Sequence, residues 1–251
     1  MVTVRSIIAL IASKRWNLFQ LDVYSAFLQG SSASLIKHDK DIIHQEFKVK
    51  DLGELKYFLG IEVLRSKASI LLNQRKYVLQ LISEMGLSRA KPACTPLEAK
   101  AVCPNTRRSV TGYVIKFGSS SVSWKSKKHK IVLRSLAEAE HRSMAAATAK
   151  IIWLLGLFKE LGVKITQPVT ILSDSKSTIQ IVANPILHKQ TKHIEIHCHF
   201  IRDKIKEGVV QAIHVNTKEQ QADLLTKGLG TAQHVHLLDK LGVLNILYPP
   251  A

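Results

Sequence analysis

Cysteine is scarce in this chain. The three present, Cys94, Cys103 and Cys198, form no C-x-x-C pair. That argues against a disulfide scaffold and for a reduced, intracellular protein. Long apolar runs are missing as well. SIIALIA (Ser6–Ala12) falls well short of the ~20 residues that span a bilayer. The SKRW after it is no small-residue cleavage site, so the stretch reads as an amphipathic helix and not as a signal peptide. Acidic residues are few: 19 Asp and Glu stand against 36 Lys and Arg, a formal net charge of +17 over 251 residues. That balance favours a polyanionic partner, nucleic acid before others, although an ordinary basic protein has the same arithmetic. What is plentiful is apolar content, 46% of the chain, enough for one large or two small domains.

The composition breaks at SRAKPACTPLEAK (Ser88–Lys100), where two prolines and small residues mark a linker between residues 1–87 and residues 101–246. Before it, the pattern predicts a helix at Ser6–Ser13, a strand ending in LDV, a helix near Asp39–Glu46, a strand KYFLGIEVLR paired with SILLNQ, and a helix RKYVLQLISEMG. So few pieces leave this half only partly self-sufficient. After it, TGYVIKF, SSSVSWKS and KIVLRS read as an antiparallel meander. A long helix over Ser135–Leu161, a strand PVTILSD, helices over SKSTIQIVAN and TKHIEIHCHFIRDKIKEG, a strand VVQAIHVN and a helix EQQADLLTKGL complete it. The expected class is α/β with a mixed, covered sheet.

The long helix carries an apolar stripe, Met144, Ala147, Ile151, Leu154, Phe158 and Leu161, at steps of three or four. Four residues before the stripe stands Glu140, a carboxylate in register with the core face. Glu138 lies about 200° round the helix and is expected to face solvent. A glutamate in an opening turn also suits the helix dipole. Asp174 ends a buried strand, where sites form in mixed sheets, and it also reads as a helix N-cap. Asp223 falls in the first turns of a helix, where the dipole again supplies an alternative reason. Taken together, three acids at element ends suit a hard divalent cation. Two such ions roughly 4 Å apart can hydrolyse a phosphodiester.

Two further groups stand out. WKSKKHK offers Trp124, Lys125, Lys127, Lys128 and Lys130 as a nucleic-acid contact, or as a solvated hairpin edge on which lysines block aggregation. HIEIHCHF sets His193 and His197 four apart beside Cys198 and His199, a zinc-compatible spacing with no second ligand pair.

The stretches NTRRSVTGYVIKFGSSSVSWKSKKHKIVLRSLAEAEHRSMAAATAKIIWL, LSDSKSTIQIVANPILHKQTKHIEIHCHFIRDKI and VNTKEQQADLLTKGL closely resemble the ribonuclease H domain of copia-type retrotransposon polyproteins. QLDVYSAFLQG and EFKVKDLGELKYFLGIEV resemble the reverse transcriptase domain of the same polyproteins, in the same order. The resemblance implies a ribonuclease H-like domain after a partial reverse transcriptase palm. It implies Mg²⁺-dependent hydrolysis of the RNA strand of RNA–DNA hybrids by four acids and two ions. Three of those acids fall on Glu140, Asp174 and Asp223. The first should lie on the opening strand, where this chain reads PLEAKAV and Glu98 is the only acid. Asp22 in QLDV matches the first metal-binding aspartate of the polymerase. The family's tyrosine–x–aspartate–aspartate turn has no counterpart, since no Asp-Asp pair occurs anywhere in the chain. Asp22 therefore reads as a relic of polymerase chemistry, and the ribonuclease as impaired, with a non-catalytic basic nucleic-acid-binding protein as the alternative.

Overall fold

Apolar residues at helical spacing in the first segment fold as helix α1 (Val2–Lys14), whose buried face carries Ile8, Leu10 and Ile11. The computed structural model describes residues 1–22, 27–30, 33–46, 50–66, 69–91, 93, 95, 110–128, 136–183 and 192–244. The chain divides into two compact units, Met1–Pro92 and Ala93–Ala251. Helices and small sheets mix in both, an α+β organisation. Among the described residues no helix is long and apolar enough to cross a membrane.

In the first unit, β1 (Asn17–Asp22) lies between β2 (Phe27–Gly30) and β3 (Lys50–Glu54), antiparallel to both. Helix α2 (Ala33–Glu46) begins earlier than the expected Asp39. A second antiparallel sheet contains β4 (Tyr57–Phe58), β5 (Ile61–Arg65) and β6 (Ile70–Asn73). KYFLGIEVLR is therefore not one strand but a hairpin. Leu59 and Gly60, at φ 48° and 79°, make a two-residue turn of the kind that matches strand twist. Ile8, Ile11, Leu18, Leu55, Ile61 and Val63 close a core, so this unit has a buried cluster of its own. Helix α3 (Arg75–Glu84) has no buried residue.

The second unit opens with a hairpin, β7 (Val110–Phe117) and β8 (Ser120–Lys128). The expected third strand, KIVLRS, lies outside the described residues. Helix α4 (Leu136–Glu160) packs on β7 and on helix α6 (Lys192–Lys206). Phe117 stacks on Phe158 with ring centroids 4.8 Å apart. Strands β9 (Val169–Ser173) and β10 (Val210–His214) pair in parallel, joined through helix α5 (Lys176–Ala183) and α6. A parallel pair requires such a crossover. The core gathers Met144, Ala145, Ile151, Ile171, Val182, Ile201 and Val210.

EQQADLLTKGL does not form the expected α-helix. It makes one short 3-10 turn, Gln221–Leu225, after another at Thr217–Glu219 and before helix α7 (Thr231–Lys240). Local side chains compete for the backbone here. Asn216 accepts the Lys218 amide at 3.0 Å and Gln220 accepts the Ala222 amide at 3.3 Å. Each turn is thus started afresh before an α-helical ladder can run through.

Candidate active site

Helix α4 brings the first carboxylate. All of Met144, Ala147, Ile151, Leu154 and Phe158 are buried, as the stripe requires. Glu140, one turn before, is half-buried and accepts a 2.7 Å hydrogen bond from the hydroxyl of Thr178, a fully buried residue of α5. Glu138 corrects the expectation of solvent exposure. It is buried at 9% and pairs with Arg142 at 2.8 Å. The reason is that α4 is covered on two sides. Its second face, Glu138, His141, Ala145 and Thr148, is buried as well. Helix α6 supplies that cover: burial depresses the pKa of its His197, and the Arg142 cation adds to this against the pull of Glu138.

Asp174 follows β9 directly. Its alternative role, capping α5, falls to its neighbour: the Ser175 hydroxyl accepts the Thr178 amide at 3.2 Å. That leaves the Asp174 carboxylate to face other groups. The far end of α5 is held by buried Arg202, whose guanidinium donates to the carbonyls of Val182 and Ile181 at 3.1 and 3.3 Å. Thr178 is thereby held where Glu140 meets it.

Asp223 arrives on the second 3-10 turn. Three contacts hold that segment: Gln220 donates to the Leu172 carbonyl on β9 at 3.3 Å, Ser126 of β8 donates to the Leu225 carbonyl at 2.7 Å, and the backbone of Gly112 lies against Thr226. A Cβ at Gly112 would stand 2.7 Å from the Thr226 methyl, so the closeness depends on glycine. Asp223 is buried at 6%, and a helix dipole does not explain it in so short a turn.

Lys227 joins the acids. Its ammonium lies 2.9 Å from one Asp223 oxygen and 3.6 Å from one Asp174 oxygen. Burial raises the Asp223 pKa above its ordinary value. Hydrogen bonding and charge from Lys227 oppose the rise, and the charges of Asp174 and Glu140 add to it. The Lys227 pKa is also raised. Burial works against its charge, but its hydrogen bond to Asp223 and the two aspartates outweigh that. Asp223 thus rises because it is buried, and Lys227 because two aspartates face its ammonium. Lys227 has no role in the expectations from sequence, although its spacing of four from Asp223 is a usable signal. Thr178 had no signal, because its role depends on α5 meeting α4.

The remaining candidates are dispersed. Trp124, Lys125, Lys127 and Lys128 are exposed on β8, and Lys130 lies outside the described residues. Alternation along a strand puts Lys125 and Lys127 on one face. Lys128 and Trp124 share the other with Ser126, the residue tied to Leu225. The basic run is therefore split between two faces. On α6, Cys198 is fully buried and His199 exposed, so they point apart; burial pushes the Cys198 thiol up to about 11 and keeps it protonated. Asp22 ends β1 opposite Lys50. Glu98 lies outside the described residues.

Oxygen donors are the right chemistry for Mg²⁺. The arrangement is not: an ammonium stands between Asp174 and Asp223, and among the described residues no group of three His, Cys, Asp or Glu side chains converges closely enough to hold a metal ion.

The fold and site define an α+β protein with a lysine-bridged carboxylate cluster at the end of a parallel strand pair. Comparison adds the lineage. Residues 29–99 match the reverse transcriptase (RNA-dependent DNA polymerase) family. The chain is similar to the retrovirus-related Pol polyprotein from transposon RE1 of Arabidopsis thaliana, 28% identical over 313 aligned positions, with 89% of this chain and 21% of the polyprotein covered. It is 27% identical to the corresponding polyprotein from transposon RE2 of the same plant, with 89% and 21% covered. It is 24% identical to the one from transposon TNT 1-94 of Nicotiana tabacum, with 82% and 23% covered. These similarities support kinship with a fragment of the Pol polyproteins of copia-type retrotransposons. It spans about a fifth of the length of the relatives it matches. The RE1 match runs over 313 positions, more than the 251 residues of this chain, so that relative carries sequence within the matched region that has no counterpart here. No solved structure matches.

Proposed function

We propose that the second unit descends from a ribonuclease H that cuts the RNA strand of RNA–DNA hybrids, and that this copy is catalytically impaired. The observation that carries the reading is that Asp174 and Asp223, from separate elements, meet on one ammonium, with the charges of Asp174 and of Glu140 felt at Asp223. The unmatched sequence inside the RE1 alignment supports an internal loss. Such a loss accounts for the missing first-strand acid and for the missing Asp-Asp turn. Without a bridging acid, two-metal hydrolysis lacks its template. Glu98, longer and out of position, is a poor fourth ligand, since catalysis tolerates little misplacement. Mg²⁺ is the ion this lineage implies. For the first unit, Asp22 alone cannot support a two-metal polymerase, so no primer extension is expected.

The test is an assay of the purified chain on an RNA–DNA hybrid with Mg²⁺ or Mn²⁺. No cleavage above background is expected, and Glu140→Gln should change nothing in rate or fold, since glutamine keeps an acceptor for Thr178. Leu97→Asp or Ala99→Asp alone should not recover cleavage while the Lys227 ammonium holds Asp174 and Asp223. Activity of the unmodified chain that Glu140→Gln abolishes would overturn the impaired reading and put Glu98 in the bridging role.

A second reading, a non-catalytic protein that binds RNA–DNA hybrid or duplex through basic residues, is supported by the net charge of +17 and by exposed Lys125, Lys127 and Lys128.

A further inference from the structure

We propose that the Lys227 ammonium is the resident cation of the carboxylate cluster, occupying the position a divalent ion would need and excluding it. The inference rests on the ribonuclease H reading only for the choice of ion; its readout is ion binding and not cleavage, so the two can fail separately.

The geometry carries it. Lys227 is fixed to the same turn as its main partner: its amide donates to the Asp223 carbonyl at 2.9 Å, and its ammonium donates to the Asp223 carboxylate at 2.9 Å. Asp174, from a different element, is 3.6 Å from the same nitrogen. An ion bridging the two aspartates must approach oxygens on both, at about 2.0–2.1 Å for Mg²⁺. The ammonium already lies between them, and two cations cannot share that space. A tethered cation also competes at a high effective concentration, which a free ion must exceed. Asp223 is almost wholly enclosed, so removing Lys227 without replacement leaves buried negative charge uncompensated. The lysine thus does two jobs that would otherwise fall to a metal: it offsets part of the negative charge of the two aspartates and ties the 3-10 turn to the end of β9.

The experiment is Mn²⁺ titration of the full chain, followed by electron paramagnetic resonance of free Mn²⁺, with thermal melts in chelator and in Mn²⁺. The unmodified chain should show no Mn²⁺-dependent rise in Tm. Lys227→Gln should melt lower in chelator, recover with Mn²⁺, and bind Mn²⁺ on the order of tenfold more tightly. Lys227→Arg, which keeps the charge, should not gain binding. Asp223→Asn added to Lys227→Gln should abolish the gain. If Lys227→Gln folds only with Mn²⁺, the inference is supported most directly. It is overturned if folded Lys227→Gln binds no better than the parent. It is equally overturned if Mn²⁺ stabilises the unmodified chain and Asp223→Asn removes that effect. This last comparison does not require the lysine variant to fold.

Discussion

In the first unit Asp22 ends β1 opposite Lys50, with no Asp-Asp pair anywhere in the chain to join it. In the second, two aspartates, one at the end of β9 and one on a 3-10 turn, meet on one lysine, while Glu140 of α4 bonds Thr178 and reaches Asp223 only through its charge. Yet the reverse transcriptase family match lies mostly on the first unit, over residues 29–99. The family model and the acid cluster therefore fall on different units, although the likeness to the Pol polyproteins spans 89% of the chain. A sheet and its core can persist on apolar pattern alone, because Ile8, Leu18, Ile61 and Val63 need only remain apolar and of similar size. A site needs particular groups in particular positions and is lost with one segment.

The largest expected effect is on the core of the second unit. Ile201→Ala, at a fully buried position of α6, should destabilise by about 2–5 kcal/mol. Leu79→Ala on α3 of the first unit, where the side chain is 49% exposed, should stay within about 0.5 kcal/mol. Denaturant melts of both variants check the pair, and equal losses would mean that α3 is covered in solution. Next comes Gly112→Ala. Its new methyl would meet Thr226 and the Lys125 carbonyl, at 2.7 and 3.0 Å, and should cost about 1–3 kcal/mol. If the melt is unchanged, the turn carrying Asp223 yields more readily than the contacts at Gly112 imply.

A smaller effect concerns pH. Asp223 has a raised pKa, so the folded chain holds that proton more tightly than the unfolded one. Its contribution is most favourable in acid and is lost as pH climbs from the ordinary aspartate range through the raised value. Lys227 acts in the opposite regime: its raised pKa contributes stability that is present below the ordinary lysine value of 10.5 and lost as pH rises through the higher folded value. Tm measured against pH for the parent and Asp223→Asn should therefore differ in slope on the acid side, the variant being flatter. Parallel curves would show that Asp223 is open to water. The smallest effect is on binding. Replacing Lys125, Lys127, Lys128 and Lys130 with Gln should weaken duplex affinity modestly and flatten its salt dependence, by counterion release. Because the strand divides these lysines between two faces, pairing Lys125 with Lys127 should matter differently from Lys128 alone. Filter binding at several salt concentrations checks it, and an unchanged slope would move the contact to another surface.

Periodicity alone located the stripe Met144–Phe158 and the inward register of Glu140, because an α-helix repeats its faces every few residues whatever it packs on. The strand running up to Asp174 was legible for the same reason, in local pattern. Three things were decided only by tertiary packing. Glu138 is buried because α6 covers a second face of α4, and one helix cannot encode whether it has one neighbour or two. The turn bearing Asp223 is 3-10 and not α because Gln220 competes for its Ala222 amide, as Asn216 does for Lys218 in the turn before, while Leu172, Ser126 and Gly112 hold it in place. Lys227 stands between the aspartates because β9 and that turn end side by side. Its sequence distance from Asp223 hinted at one contact, but the second comes from a residue 53 positions away in numbering, Asp174, which only the parallel pairing of β9 with β10 brings within 3.6 Å of the ammonium.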